Sequence, residues 1–354
     1  MLHRGASKFK IKLAYGLAVI AWLLANANQV AKAQAAESIS QPDTAEPWST
    51  STLWTNTYQH EFCTQTRALL AARIQAEQIQ AKPAPPPRDI PGHMLDEFTL
   101  NGQIPVSRYY VDDTNGGQGT HIGYSRNQID QLVSQFKERL RKIKGTRVEL
   151  PVADATVVVP RAMHEDWVLR ALSETIRTGD RVVVYGSMTP TYEAMALACG
   201  AAAVVTSEYN ALTYQHPNIT TVTPDVLQSM PFLHEHGLFD VAVSITSFDH
   251  DGLGRYGDPV HPAADLLAMQ NVRCVLKPGG RLVLTVPVGP DGLAWNLHRR
   301  YGPLRLPLLI QDWQVRRRIG WSSERYSDPQ GRMNQVYEPV FVLESAFDAK
   351  RTEL

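Results

Sequence analysis

Cysteine is scarce in this chain of 354 residues: Cys63, Cys199 and Cys274 are the only three, and no two stand in CxxC spacing. That excludes a disulfide framework and a thiolate metal cluster, and an odd number leaves at least one thiol unpaired within the chain. Cys199 and Cys274 lie in apolar stretches of helical spacing, so both are expected as buried structural thiols. Net charge is lacking as well. Lys plus Arg and Asp plus Glu number 35 each, which leaves no global field to recruit nucleic acid. No self-similarity at a period of about 20 to 50 residues marks a repeat array. The apolar run at 13–25 falls short of the roughly 20 residues that a membrane-spanning helix needs.

That short run has a different use. Arg4, Lys8, Lys10 and Lys12 precede it, and Ala31-Lys32-Ala33 and Ala33-Gln34-Ala35 follow with the small-residue pattern of signal cleavage. Residues 1–35 therefore read as a secretory signal peptide, or as a signal anchor holding the protein to a membrane through residues 11–30. Either places the remainder in a lumen or outside the cell, since the flanking positive charge keeps the amino terminus cytoplasmic. A mitochondrial presequence is the weaker alternative, because the run is continuous where a transit peptide would be amphipathic. Residues 36–92 read as a stem: a polar stretch, a helix-prone segment at 61–82, and a Pro-rich spacer through Lys82-Pro83-Ala84-Pro85-Pro86-Pro87-Arg88. Asn218-Ile219-Thr220 is a glycosylation sequon, to be modified only in a eukaryotic secretory lumen.

The remainder alternates strands and helices. Residues 93–180 form an elaboration with helical stripes through Ile129, Leu132, Val133, Phe136 and Leu140 and through Trp167, Leu169, Leu172 and Ile176. A short strand is expected at 156–159. The core, 181–354, opens with a buried strand ending at Tyr185, a turn Gly186-Ser187-Met188-Thr189-Pro190, a helix at 191–199 and a second strand at 202–206, with Glu208 just beyond it. Further buried strands are expected at 219–222, 239–245, 281–286 and 339–343, with a weaker one at 314–320, whose Arg316, Arg317 and Arg318 make a solvated edge. Alternating strand and helix predict a Rossmann-like, doubly wound, mostly parallel α/β sheet, which takes ligands at the carboxyl ends of its strands. An acid beyond the second strand suits ribose hydroxyls. The turn lacks the glycines that a pyrophosphate requires, and Met188 stands where the backbone must approach the ligand.

Beyond the 239–245 strand lies an insert dense in ionisable and turn residues, Asp249-His250-Asp251-Gly252-Leu253-Gly254-Arg255-Tyr256-Gly257-Asp258. His250 and Asp249 are candidate bases for a hydroxyl acceptor. Equally, the aspartates could stabilise the turn while His250 packs. Arg255, Tyr256 and Asp258 are candidate substrate contacts, with Arg255 and Asp258 alternatively paired to brace the loop. His298 and Tyr301, from the segment after the next strand, are further candidates for acceptor binding. No metal is expected, since the spacing of Asp249, His250 and Asp258 is not that of a defined site.

The Gly186 turn, Glu208 and LKPGGRLVLTVP together resemble a class I S-adenosylmethionine-dependent methyltransferase. More narrowly, GS-x-TP-x-YEA, TSEYN, SFDHDGLGRYGDP, LKPGG and WNLHRRYG resemble an uncharacterised methyltransferase-like family known as a domain of unknown function. The resemblance implies a last strand running antiparallel. It also implies S-adenosylmethionine as cofactor, with Gly186, Ser187, Glu208 and Ser247 around it, but no acceptor; placement in the secretory pathway makes a glycan or small polar molecule the acceptor expected. Val184 and Ser187-Met188 depart from the methyltransferase pattern. A catalytically silent Rossmann-like ligand- or partner-binding module and another nucleotide-using transferase stay open as alternatives.

Overall fold

A computed structural model describes residues 62, 63, 66, 85–116, 120–143, 158–327 and 337–345. The signal or anchor, most of the stem and the first half of the 156–159 strand lie outside these; 158–160 carry no regular structure. The strands are β1 Val106–Arg108, β2 Ile122–Tyr124, β3 Arg181–Tyr185, β4 Ala203–Ser207, β5 Leu212–Tyr214, β6 Ile219–Val222, β7 Phe239–Ile245, β8 Leu276–Thr285, β9 Gly292–Trp295, β10 His298–Arg300, β11 Trp313–Ile319 and β12 Val340–Ser345. The principal helices are α1 Arg126–Ile143, α2 Arg161–Thr175, α3 Thr191–Cys199, α4 Met230–His236, α5 Ala264–Val275 and α6 Arg305–Ile310.

Seven strands build the main sheet in the order β11-β12-β8-β7-β3-β4-β6. Pairing is parallel from β8 through β7, β3 and β4 to β6, while β12 runs antiparallel to both β8 and β11. Counted by first appearance in this sheet, the order is 3-2-1-4-5-7-6 with the seventh strand reversed, which is the arrangement of class I methyltransferases.

Central parallel strands are buried on both faces, which is why they read as continuous β-branched runs. Their alternation sorts the side chains. Val182, Val184, Val204, Val241, Val243, Val283 and Val342 face a layer made by α1, α2 and α3, including Phe136, Trp167, Leu169 and Met195. Val183, Val205, Ala242, Leu282, Leu284 and Phe341 face Leu233 of α4, Met269 and Val272 of α5 and Leu306 and Leu309 of α6. Each fully buried aliphatic side chain contributes about 1.5–3 kcal/mol through removal from water.

Several expectations are corrected. Cys274 is not a free thiol: it is disulfide-bonded to Cys63, 211 residues away, with Cα atoms 5.5 Å apart. Cys199 alone among the three is free, and burial pushes its thiol up to about 12. The strand expected at 314–320 forms as β11, Trp313–Ile319, whereas Lys277-Pro278-Gly279-Gly280 does not separate α5 from β8 as a turn. It bulges within β8, whose register with β7 passes from Phe239↔Leu276 to Val241↔Arg281. The WNLHRRYG segment forms the hairpin β9–β10, joined by β1 in a second small sheet. Residues of the Pro-rich run pack on this hairpin and on the insert: Trp295 Nε1 donates to the Pro87 carbonyl at 3.2 Å, and Pro86 lies against Gly254.

Candidate active site

The carboxyl ends of β3, β4 and β7 meet at one edge, and the turns leaving them carry most of the expected residues. Gly186 leaves β3 at φ +66°, and a Cβ there would lie 2.1 Å from Ser247 Oγ beyond β7, so only glycine lets the two turns approach. Ser187 is buried, and its Oγ stands 2.7 Å from the Thr189 carbonyl and 3.0 Å from Glu193 Oε2; its own carbonyl accepts from Tyr214 Oη at 2.9 Å. Thr206 Oγ1 donates to the other Glu193 oxygen at 2.7 Å.

Glu208 sits beyond β4 with 7% of its surface exposed, and its Oε1 accepts from Asn210 N at 3.1 Å and Asn210 Nδ2 at 3.2 Å. Burial raises its carboxyl above the usual range, and the bonds from Asn210 act against that. The charge of Asp258 also reaches it, so the β4 tip and the insert share one electrostatic neighbourhood.

Within the insert the roles divide. Asp258 is a loop brace: its carboxylate accepts from the backbone N–H groups of Gly252 at 2.7 Å, Gly254 at 3.1 Å and Tyr256 at 3.2 Å. The alternative Arg255–Asp258 pair is not formed. Arg255 Nε reaches instead to Asp113 at 2.7 Å, because Asp258 turns inward to the backbone donors, and its guanidinium stacks over Tyr256 at 4.9 Å. Asp251 gives its carbonyl to Arg299 Nη1 at 2.5 Å, and burial followed by the charge of Asp258 pushes its carboxyl well above the ordinary range.

His250 is held at one end of its ring. Nδ1 stands 2.5 Å from the Leu297 carbonyl, which can only accept, so the proton is on Nδ1; Nε2 lies 3.5 Å from Asp249 Oδ2. Asp249 itself is 1% exposed, and its Oδ1 has no hydrogen-bond partner. The same is true of His298 Nε2 on β10, whose ring lies 6.5 Å from that of His250. Burial lowers the His298 pKa, with Asp249 opposing.

Tyr301 belongs elsewhere. Its hydroxyl donates at 2.9 Å to Asp265, which also receives Arg305 at 2.6 and 2.8 Å and lies 3.8 Å from Arg299 Nε. Burial alone would raise Asp265, but the two guanidinium groups hold it down at about 2. This buried cluster ties α5, β10 and α6 together beneath the insert.

Two residues went unnoticed in the sequence. Glu193 looks like an ordinary first-turn helix acid, yet it is fully buried and pushed up to about 7. Glu338, two residues ahead of β12, is pushed up to about 8 by burial and by Asp249, with His164 Nε2 3.9 Å away. No spacing rule finds Glu338, because its neighbours come from α2 and the insert. Among the described residues no group of His, Cys, Asp and Glu is arranged to hold a metal ion.

Strand order and the placement of Glu208 define a class I methyltransferase-like fold. Residues 179–333 match the DUF268 family model, described as a Caenorhabditis protein of unknown function. A search of curated proteins returns no match. Among solved structures, the chain is similar to a protein of Streptococcus mutans ascribed to the S-adenosylmethionine-dependent methyltransferases, at 14% identity and TM-score 0.34, over 51% of this chain and about half (49%) of that one. It is also similar to a ribosomal protein L11 methylase of Lactobacillus delbrueckii subsp. bulgaricus, at 11% identity and TM-score 0.33, over 53% of this chain and 81% of that one. A third is a Galdieria sulphuraria protein ascribed to sarcosine dimethylglycine methyltransferases, at 14% identity and TM-score 0.36, over 62% and 98% of the two chains. Likeness at this level adds nothing to what the strand order already carries.

Proposed function

We propose that this chain is an S-adenosylmethionine-dependent methyltransferase whose acceptor is a hydroxyl of a glycan or small polar molecule, working in a secretory lumen. One observation carries the cofactor assignment: a buried, desolvated carboxylate, Glu208, stands at the tip of the second strand of a 3-2-1-4-5-7-6 sheet, where a nucleoside ribose would lie. The donor set suits a nucleoside without pyrophosphate. Glu208 would hold the ribose hydroxyls and the Gly186 and Ser247 turns would border the rest, whereas the Ser187 hydroxyl and carbonyl already have protein partners. Bound there, the cofactor would supply an electrophilic methyl group. The protein's own part is to orient the acceptor and keep water away.

The test is calorimetric titration of the full chain with S-adenosylhomocysteine. Glu208→Ala should weaken binding about tenfold or more while the melting temperature stays nearly constant, the scale of losing a hydrogen bond to a charged group. Equal affinities in wild type and variant would sink the assignment. The silent-module reading draws support from the same turn, since Ser247 and Tyr214 fill space around Gly186 and Ser187 with protein atoms. Wild type that binds no cofactor decides for it.

Lumenal placement is supported by the Cys63–Cys274 bond, because disulfides persist in oxidising compartments. Among the described residues no helix is long and apolar enough to cross a membrane.

A further inference from the structure

The outermost strand of the main sheet, β11, carries Arg316, Arg317 and Arg318, and in a regular ladder with β12 the first would face with Val342 and the second with Phe341, on opposite sides. The ladder is not regular. Val315 stands opposite Leu343 and Arg317 opposite Val342, which leaves Arg316 as an extra residue in a bulge on an edge strand. Charge is gathered as a result. Arg317 now shares the face of Val342, which packs on the α1–α3 layer, and its Nη1 reaches Glu174 of α2 at 2.7 Å. Arg316 meets it there: its Nη2 donates at 2.7 Å to Glu344, which pairs with Arg281 of β8 and receives Arg281 Nε at 3.3 Å. Arg318 goes the other way. Its guanidinium lies over Trp321 at 5.1 Å, and that ring meets Phe341 at 5.7 Å on the opposite face.

Between the end of α2 and the strands β8, β12 and β11, these side chains line an open groove of about 510 Å³, in which three guanidinium groups face two carboxylates. Positive charge is in excess. A guanidinium has five N–H donors, and the contacts with Glu344 and Glu174 occupy one nitrogen of each fork. The others can be reached from solvent, since Arg281 is 34% exposed and Arg316 and Arg317 are 49% exposed. We propose that this groove binds a sulfate or phosphate ester carried on a sugar. A tetrahedral oxyanion presents three acceptor oxygens, enough to engage more than one fork, whereas a carboxylate would repeat what Glu344 already supplies. The carrier follows from the lining. Its volume is that of a small-molecule site and exceeds what a lone oxyanion fills. No aromatic ring lines it among the described residues, so a nucleobase finds nothing to stack on and a hydroxyl-rich carrier suits the polar walls. Arg281 pairs with Val241 near the start of β7, at the opposite end of the strands from Glu208 and the insert. The proposal therefore depends on neither the cofactor nor the acceptor of the candidate active site.

The experiment is calorimetric titration of the full chain with glucose 6-sulfate and glucose 6-phosphate, against glucose, glucuronate and ethylamine, at low ionic strength because salt screens half-exposed charges. At least one ester should bind, about tenfold or more tighter than glucose and glucuronate, and ethylamine should not bind. Which ester binds better tells sulfate from phosphate. Arg281→Gln and Arg317→Gln should each weaken that ester about tenfold or more, the scale of losing a hydrogen bond to a charged group. Arg317→Lys, which keeps the charge and loses the fork, should fall between wild type and Arg317→Gln. Arg318→Gln, on the opposite face, should bind as wild type does. Melting curves separate these losses from unfolding, and Arg317→Lys gives a second route if Arg317→Gln does not fold. The proposal is overturned if neither ester binds more tightly than glucose, if glucuronate binds as well as the better ester, or if both Gln variants in the groove bind as wild type does. It is equally overturned if Arg318→Gln weakens binding as much as Arg317→Gln, which is the outcome for diffuse surface charge.

Discussion

Ser187 has one hydroxyl proton and two close oxygens, the Thr189 carbonyl at 2.7 Å and Glu193 Oε2 at 3.0 Å. It can donate to only one of them. Both contacts are hydrogen bonds if Glu193 is protonated and donates to Ser187, which passes its own proton to Thr189. Burial pushing Glu193 up to about 7 agrees with that count, against the opposing bonds from Thr206 and Ser187. An acid whose pKa is raised on folding contributes stability fully present below its unfolded pKa of about 4.5 and lost as pH rises through its folded one. Wild type should therefore lose a few kcal/mol between about pH 4.5 and 7 from this residue. Glu193→Gln, which stays neutral and keeps an N–H to donate, should remove that part of the slope. Melting temperatures across this range, compared between the two proteins, check it; parallel curves would show that Glu193 is ionised throughout. None of this is legible in the sequence, since Glu193 lies on a helix turn and its partners come from the preceding turn and from β4. Glu208 is legible, because its position depends only on counting one residue past a strand.

Elements that announce themselves are those whose pattern is local. β3, β4, β6 and β7 are β-branched runs bounded by turns, and the structure places them within a residue or so of where the sequence does. The β9–β10 hairpin is not announced. His298 is expected there as an acceptor contact, but no local pattern shows that it is buried together with Arg299 and Arg300, Arg299 because the insert and the start of α5 offer it the carbonyls of Asp251, His261 and Pro262. The Cys63–Cys274 link is hidden for the same reason, since nothing local joins positions 211 apart. It holds Phe62 against the end of α5, where Arg273 stacks over the Phe62 ring at 5.0 Å. Closing so long a loop removes much entropy from the unfolded chain, about 5 kcal/mol in the chain-entropy account. Cys274→Ser should accordingly lower stability by about 2–5 kcal/mol, read as a shifted denaturant midpoint. A midpoint equal to that of wild type under non-reducing conditions would mean that the bond contributes nothing.

At the scale of the molecule, the sheet has two ends with different tasks. The carboxyl edge gathers Gly186, Glu208, Ser247 and the insert, and among the described residues the amino edge carries no part of the candidate active site. Asn218 lies on that amino edge, at the turn entering β6, where Ile219 pairs with Val204 near the start of β4. Its side chain is exposed, and Nδ2 donates one proton to the Ala202 carbonyl at 2.8 Å. An amide nitrogen has two protons, so the second can be replaced by a glycan without breaking that bond. Thr220, the third sequon position, is exposed as well. A glycan here would stand at the opposite end of the strands from the insert. If residues 1–35 act as a secretory signal, protein expressed in a eukaryotic secretory host should carry this glycan, seen as a glycosidase-sensitive mass shift that Asn218→Gln abolishes. The same preparation should show the Cys63–Cys274 peptide pair only without reductant. A reduced, unshifted protein that retains residues 1–35 would overturn lumenal placement, and it would do so without touching the assignment of Glu208, which depends on the sheet alone.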